Sequence, residues 1–341
     1  MMTLVERLSV LAKLGAQLRE EEDELLLAHI KRTEFHNGWM TEENYRRSIR
    51  SIAEQWLTEK ALQEWIGHYE IAHETSSVKT VGLVLAGNIP LVGWHDVLSV
   101  FTAGHRAQLK LSEKDAFVLP YLLKKMAAID ERTSSYFEIV DQLKGFEAVI
   151  ATGSNNSARY FEAYFGKYPH IIRRNRNAVA VLSGKESEAE LLALGDDIFT
   201  YFGLGCRNVS KLYLPQDYEF APLLEALHEW RHLQNHSKYK NNFDYNHAKL
   251  TLNKQAFFSN GAIILREDDS LLSHIAGLYY SHYQVLPALE AELEARRDEI
   301  QLIAAQEGLL SLATKSFGEA QQPGLLDYAD GVDTMSWLVK L

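Results

Sequence analysis

The sequence predicts an α/β protein of two lobes, each built around a mostly parallel sheet, with a helical segment at the N-terminus. Three observations carry this reading. Short β-branched apolar runs alternate with helix-length amphipathic stretches from about residue 78 onward, and strands separated in this way imply right-handed crossovers between parallel neighbours. The alternation restarts with a long helical stretch beyond residue 175. The chain has 341 residues, more than a single core usually organises. The expected division is a helical segment over 1–75, a first lobe over 76–174, a second over 175–315 and a C-terminal segment over 316–341.

In order along the chain, "VERLSVLAKLGAQLREEEDELLLAHIKRT" repeats Leu at helical spacing, and "TEENYRRSIRSIAEQWLTEKALQEWIGHYE" opens with Thr41 as an N-cap. "SVKTVGLVLAG" is a buried-strand signal closed by Gly87, after which Pro90 stands where a helix can begin. "RAQLKLS", "FEAVIATGS" and "NAVAVLSG" read as strands, with "DAFVLPYLLKKMAAID" and "NNSARYFEAYFG" as helices between them. The second lobe opens with "ESEAELLALGDDIFTYFG", a helix running into a turn that holds the chain's single cysteine, Cys206, and "KLYLP" is the strand after it. "LEAELEARRDEI" is a charged helix face, and the polar, aromatic run "YKNNFDYNH" reads either as a cleft lining or as an ordered loop.

Composition narrows the class. Hydrophobic residues make up 46% and charged residues 24%, as in soluble globular proteins. One cysteine excludes an internal disulfide, "MMTLVERLSVLAKLG" lacks a signal-peptide pattern, and no apolar run is long enough to span a bilayer. A cytoplasmic protein without an integral membrane segment is the expectation. The 35 basic and 46 acidic residues leave a net charge of −11, which disfavours nucleic acid as a partner.

Open parallel sheets bind ligands at the carboxyl ends of their strands. "AGNIPL" (86–91) and "ATGSNN" (151–156) occupy such strand-to-helix junctions, where free backbone N–H groups can hold phosphate. Either stretch taken alone is also ordinary turn chemistry. "HEWRH" (228–232) fits a zinc motif in which two histidines share a helix face around a basic glutamate. It lacks a third ligand at a familiar spacing and has Arg231 beside it, so no metal is expected. A lone cysteine is most often a small buried hydrophobe.

Taken in order, these segments resemble the aldehyde dehydrogenase superfamily, and within it the acyl-CoA reductases related to the fatty acid reductase of bacterial luminescence. The resemblance runs from about Val81 to Pro215 and is fainter in "FGEAQQPGLLDYADGVDTMSWL". "GNIPL" is similar to the superfamily's Asn-Phe-Pro segment, which implies Asn88 as a side-chain oxyanion donor. "LKLSEKD", starting 21 residues after Asn88, resembles the segment that holds the adenosine ribose, through Lys110 and Glu113. "ATGS" resembles the turn over the cofactor pyrophosphate, through Gly153 and Ser154. "GLGCRNVSK" resembles the nucleophile loop, with Cys206 as nucleophile and Lys211 the basic residue after it.

The resemblance implies an aldehyde dehydrogenase-like fold with cofactor and catalytic lobes, NADPH or NADH as cofactor, and CoA as the leaving group of a thioester substrate. Hydrolytic members carry a glutamate that activates water, whereas here "HIIRRNRNAVAVL" has Ile172, Arg173 and Arg174 and no carboxylate. Without that base, hydrolysis of an S-acyl enzyme is slow and exchange with the CoA thiolate is the sensible chemistry. The expected reaction is reduction of a long-chain fatty acyl-CoA to the aldehyde. A CoA-acylating aldehyde dehydrogenase working oxidatively would use the same residues, and a zinc hydrolase would use His228 and His232 instead. Arg207 or the Arg173/Arg174 pair is a candidate source of positive charge for the thiol. An acyl-transferase or carrier partner and a homodimer are left open, and the segment that contacts the nicotinamide ribose is not evident, "GAIILREDD" with Glu267 being the nearest stretch.

Overall fold

The computed structural model describes residues 1–20, 22–75 and 77–341. Glu21, inside the leucine-repeating stretch, and Ser76, at the expected start of the first lobe, lie outside the described residues. The chain divides into two compact units, Met1–Asn175 with Gly324–Leu341, and Arg176–Pro323.

The first unit opens with four helices, α1 (Leu4–Glu20), α2 (Glu24–His36), α3 (Glu42–Ser51) and α4 (Glu59–Ile66). Short polar side chains keep three of them from fraying at the start: Asp23 caps α2, Thr41 caps α3 and Thr58 caps α4, each oxygen accepting a backbone N–H three residues on. The sheet follows as β1 (Thr80–Val84), α5 (Trp94–Ala103), β2 (Arg106–Lys110), α6 (Val118–Ile129), β3 (Phe137–Ile139), β4 (Ala148–Thr152), α7 (Asn155–Phe165) and β5 (His170–Arg173). Strand order is β3-β2-β1-β4-β5 with every pair parallel. The strands β3 and β5 are absent from the sequence reading because three or four residues give no readable alternation. Leu11, Leu14, Tyr45 and Trp65 of these helices share one core with Val81 and Leu83 of β1 and Phe101 of α5, and in the same unit α1 packs against α5 and α6, and α2 against α6.

The second unit contains β6 (Asn177–Val181), α8 (Glu188–Phe199), β7 (Val209–Pro215), α9 (Phe220–Leu227), α10 (Ser237–Leu252), β8 (Phe258–Ser259), β9 (Ile264–Glu267), β10 (Gly277–Tyr283), α11 (Leu286–Ala295) and β11 (Ile300–Ala305). Its order is β11-β6-β7-β10-β9-β8. The sheet is mostly parallel, as expected, with one antiparallel pair, β8 against β9. A connection as short as 260–263 can only close a hairpin. The run "YKNNFDYNH" is not a loop but part of α10, which buries Tyr239, Asn246 and Leu250 and leaves Tyr245 exposed. The chain then returns to the first unit as α12 (Thr334–Val339), capped by Asp333.

Candidate active site

Three strand ends set one edge of the first unit. The strand order reverses between β1 and β4, and at such a switch point the carboxyl ends of the strands open a crevice for ligand. Asn88 follows β1, Lys110 and Glu113 lie at and beyond the end of β2, and Gly153 and Ser154 follow β4. The topology thus gathers these five residues along adjacent strands β2, β1 and β4 at one edge of the sheet.

Asn88 sits exposed on a loop whose backbone is fixed from beneath. Gly87 allows the approach, since a Cβ there would meet the Ser112 Oγ at 2.5 Å. Pro90 does not start the helix: α5 begins at Trp94 because Leu91 adopts a left-handed conformation, φ 56°. That costs a non-glycine residue about 1–2 kcal/mol, and the neighbours hold it. The Leu91 N–H donates to Asp115 Oδ2 at 2.9 Å, the Tyr45 hydroxyl donates to Asp115 Oδ1, and Ser48 Oγ donates to the Pro90 carbonyl at 3.1 Å. Asp115 is buried, which pushes its carboxyl above the usual range, while the bonds from Tyr45 and Leu91 pull the other way. Burial and the neighbouring Asp115 also raise the Tyr45 hydroxyl. Helix α3 therefore positions the Asn88 loop through two side chains that the sequence reading missed. No local pattern announces them, because Tyr45 and Asp115 are 70 residues apart.

The other residues at this edge face outward. Glu113 is exposed in a turn, and exposed Lys110 donates from Nζ to the Asp141 carbonyl at 2.9 Å. Ser154 is the N-cap of α7, its Oγ accepting the Ser157 N–H at 3.2 Å. Gly153 is packed tightly enough that a Cβ would meet Phe161 and Ser157 at 2.8 Å, so this glycine brings strand and helix together with only two residues between them. The start of α7 presents backbone N–H groups suited to an anion. A carboxylate for ribose hydroxyls, an ammonium and a helix N-terminus form a donor set that fits a dinucleotide.

Cys206 lies at the amino end of β7, on the turn that enters the strand, and is partly exposed. Helix α8 ends at Phe199, and the chain reverses through three consecutive left-handed residues, Tyr201 (φ 54°), Phe202 (φ 59°) and Gly203 (φ 74°). Tyr201 and Phe202 are buried in spite of that strain. Gly205 is not left-handed; its N–H donates to Asn208 Oδ1 at 2.8 Å, and its carbonyl accepts the Asn208 N–H at 3.1 Å, so that Cys206 and Arg207 form the tip of a closed turn. Asn208 is 2% exposed, and its Nδ2 donates to the carbonyls of Asp197 (3.0 Å), Ile198 (3.2 Å) and Thr200 (2.8 Å), the groups left orphaned at the end of α8. The sequence did hold a signal for Asn208, since asparagine at a turn routinely bonds nearby backbone. Asp197 in turn accepts the N–H groups of Gly318 (2.7 Å) and Ala320 (3.0 Å), and burial pushes its carboxyl up to about 7.

Other sequence candidates fall elsewhere. Arg173 is held by a buried ion pair with Asp96 at 2.5 Å and donates to Thr334 Oγ1 at 2.8 Å, while Arg174 pairs with Glu162 on the surface. Both are engaged inside the first unit. Lys211 is 1% exposed within its own unit, donating to the Asp268 carbonyl and Ser281 Oγ, with burial bringing its ammonium down to about 8. Glu267 is the last residue of β9. The zinc reading of "HEWRH" fails on geometry. Helix α9 stops at Leu227 and His228–Asn235 is a 3₁₀-helix, in which residues four apart are turned about 120° from one another. His228 Nδ1 donates to the Asn260 carbonyl at 2.9 Å and His232 Nδ1 to the Glu229 carbonyl at 3.2 Å. Among the described residues no group of three His, Cys, Asp or Glu side chains is placed to hold a metal ion, and no helix is long and apolar enough to cross a membrane.

The fold defined by these two units is that of the aldehyde dehydrogenases. Aldehyde dehydrogenase 21 from Physcomitrella patens, in complex with the product succinate, superimposes with a TM-score of 0.64 at 15% identity, covering 91% of this chain and 74% of that one. A gamma-glutamyl-gamma-aminobutyraldehyde dehydrogenase from Burkholderia cenocepacia J2315 gives 0.62 at 15% identity, covering 90% and 73%. An aldehyde dehydrogenase from Bacillus cereus, solved as its NAD+ complex, gives 0.61 at 13% identity, covering 89% and 72%. No protein-family model matches the sequence, and no curated protein does. At these identities the likeness establishes the fold.

Proposed function

We propose that the protein is an NAD(P)H-dependent acyl-CoA reductase that converts a long-chain fatty acyl-CoA to the aldehyde through an S-acyl intermediate on Cys206. One observation carries the choice of acyl transfer over hydrolysis. In the stretch where hydrolytic relatives by resemblance keep a water-activating glutamate, this chain has Arg173, locked to Asp96 and Thr334, and an arginine cannot serve as that base.

The chemistry follows from the chain's own groups. The Cys206 thiolate attacks the thioester carbonyl, and the Cys206 backbone N–H donates to the oxyanion, with the Asn88 amide as the side-chain donor that the family resemblance implies. The bond to CoA breaks, CoA leaves as its thiolate, and the acyl group remains on sulfur. Lys110, Glu113, Gly153 and Ser154 hold the dinucleotide along the β2-β1-β4 edge. A reduced nicotinamide held there would supply the hydride that brings the thioester to the aldehyde level. Overall, acyl-CoA, reduced nicotinamide and a proton give aldehyde, CoA and oxidised nicotinamide. The exposed Glu113 carboxylate favours a free ribose hydroxyl and Lys110 tolerates a phosphate, which supports use of either NADH or NADPH.

The test is to mix purified protein with a fatty acyl-CoA and NADPH or NADH and to follow cofactor absorbance, with acyl adducts mapped by mass spectrometry in single turnover without reductant. The expected result is cofactor oxidation and acylation at Cys206. Turnover that persists in Cys206→Ala, or an adduct elsewhere, overturns the reading.

A further inference from the structure

We propose that Asn208 is the positioning residue of the nucleophile turn, holding Cys206 in one reactive geometry by bonding the turn on both sides at once. Its importance for turnover rests on the reading of Cys206 as nucleophile; its grip on the turn does not. The side chain divides its amide between two tasks. The Oδ1 accepts the N–H of Gly205, immediately before the cysteine, and the Nδ2 faces the carbonyls of Asp197, Ile198 and Thr200 at the end of α8. The backbone of Asn208 closes the same turn by donating to the Gly205 carbonyl.

Two physical demands meet at this residue. Helix α8 leaves carbonyls without helical partners at its end, and a glycine in the left-handed position would ordinarily finish it by a backbone bond. Here the left-handed run is Tyr201, Phe202 and Gly203, two of them carrying large buried side chains, and the carbonyls are satisfied instead by a side chain arriving from beyond the cysteine. The strained reversal and the Cys206 turn are thus closed by one amide. Strain of this kind persists only where the surroundings over-determine it. A serine or threonine hydroxyl donates and accepts at a single atom, whereas the asparagine amide sets its acceptor and its donor on separate atoms that face opposite sides of the turn: an aspartate in its place would put an oxygen against three carbonyls, and an alanine would leave both sides open.

The test uses the full-length chain and its single thiol. Asn208→Asp keeps the acceptor for Gly205 and loses the donor, and Asn208→Ala loses both. Each is expected to lower kcat about 100-fold, the scale of a misplacement near 1 Å, with KM for acyl-CoA and cofactor within about twofold. Each is also expected to change the rate and the pH profile of Cys206 alkylation by iodoacetamide. A folded Asn208→Ala protein with wild-type kcat and an unchanged alkylation profile overturns the proposal, even if its melting temperature falls, because a merely structural role moves only the latter. Should both variants fail to fold, amide hydrogen exchange of the unmodified protein decides: a protected Gly205 N–H supports the bond to Asn208, and exchange at solvent rate overturns it. If the unmodified protein shows no acyl-CoA reduction, the reading of function fails while the alkylation and exchange measurements still decide the positioning.

Discussion

The loop of Asn88 and the turn of Cys206 solve the same problem in opposite ways. Each presents a reactive group on strained backbone, with Leu91 left-handed in the first and Tyr201 and Phe202 in the second. The Asn88 loop is braced from a distance: its buried anchor, Asp115, comes from the next strand-to-helix connection, and Tyr45 and Ser48 come from α3 in the helical segment. The Cys206 turn is braced from within, by Asn208 two residues on reaching back no further than eleven residues to Asp197. The first brace depends on the whole unit being folded; the second depends on a stretch of some dozen residues. Under the proposed function, local bracing places the bond-forming atom of Cys206, and remote bracing couples the loop of Asn88, the proposed oxyanion donor, to the packing of α3.

This contrast can be broken at several points, with effects of decreasing size. Cys206→Ala removes the proposed nucleophile and is expected to lower acyl-CoA reduction by about 10³-fold or more, read by cofactor absorbance, while His228→Ala leaves the rate unchanged. Asn88→Ala removes the proposed side-chain oxyanion donor and is expected to cost about 100-fold in kcat with little change in the melting curve, because the side chain is exposed. Tyr45→Phe leaves the buried Asp115 short of one donor. Urea unfolding is expected to show a loss of about 1–3 kcal/mol, together with a fall in kcat but not in the alkylation rate of Cys206. A fall in alkylation rate as well would mean that the two braces are not separate.

The effects of pH fall on stability rather than on rate, and their signs differ between two buried groups of the second unit. Asp197 titrates near 7 in the folded chain against 3.8 in the ordinary state. The folded form therefore holds its proton longer, and the stabilisation from this group is present at acid pH and lost as pH rises from about 4 through 7. Lys211 titrates near 8 against 10.5. The folded form gives up its proton earlier, so the contribution of this group rises with pH from about 8 to 10.5. Denaturation midpoints against pH are expected to lose the fall between about pH 4 and 7 in Asp197→Asn and the rise between about pH 8 and 10.5 in Lys211→Met. A profile unchanged by either substitution would show that these groups keep their ordinary titration in the fold.

The position of the candidate segments in the fold was legible because they are short and local. "AGNIPL", "LKLSE" and "ATGS" stand at strand-to-helix junctions whose strands are apolar and β-branched, and such junctions fall at the carboxyl edge of a parallel sheet whatever else surrounds them. Thr41 caps a helix for equally local reasons. Where the reading went astray, a distant partner had overruled local preference. Pro90 did not begin a helix, because Asp115 takes the Leu91 N–H and turns the chain first. "HEWRH" kept its spacing but not its face, because α9 tightens into a 3₁₀-helix there. Arg173 was a candidate charge for the thiol in the sequence and is half of a buried pair in the fold.

By itself the sequence determined the alternation of strands and helices, the parallel layout that follows from it, and a single thiol in a glycine-flanked turn, since each depends on residues within about one element of one another. Only the tertiary structure decided what holds those pieces still. The Tyr45–Asp115 anchor, the Arg173–Asp96 pair and the closure of α8 by Asn208 are bonds between buried polar groups, and such a group is tolerable only when folding delivers its partner. That delivery turns "YFGLGCRNVSK" from a flexible stretch around a cysteine into a turn with one geometry.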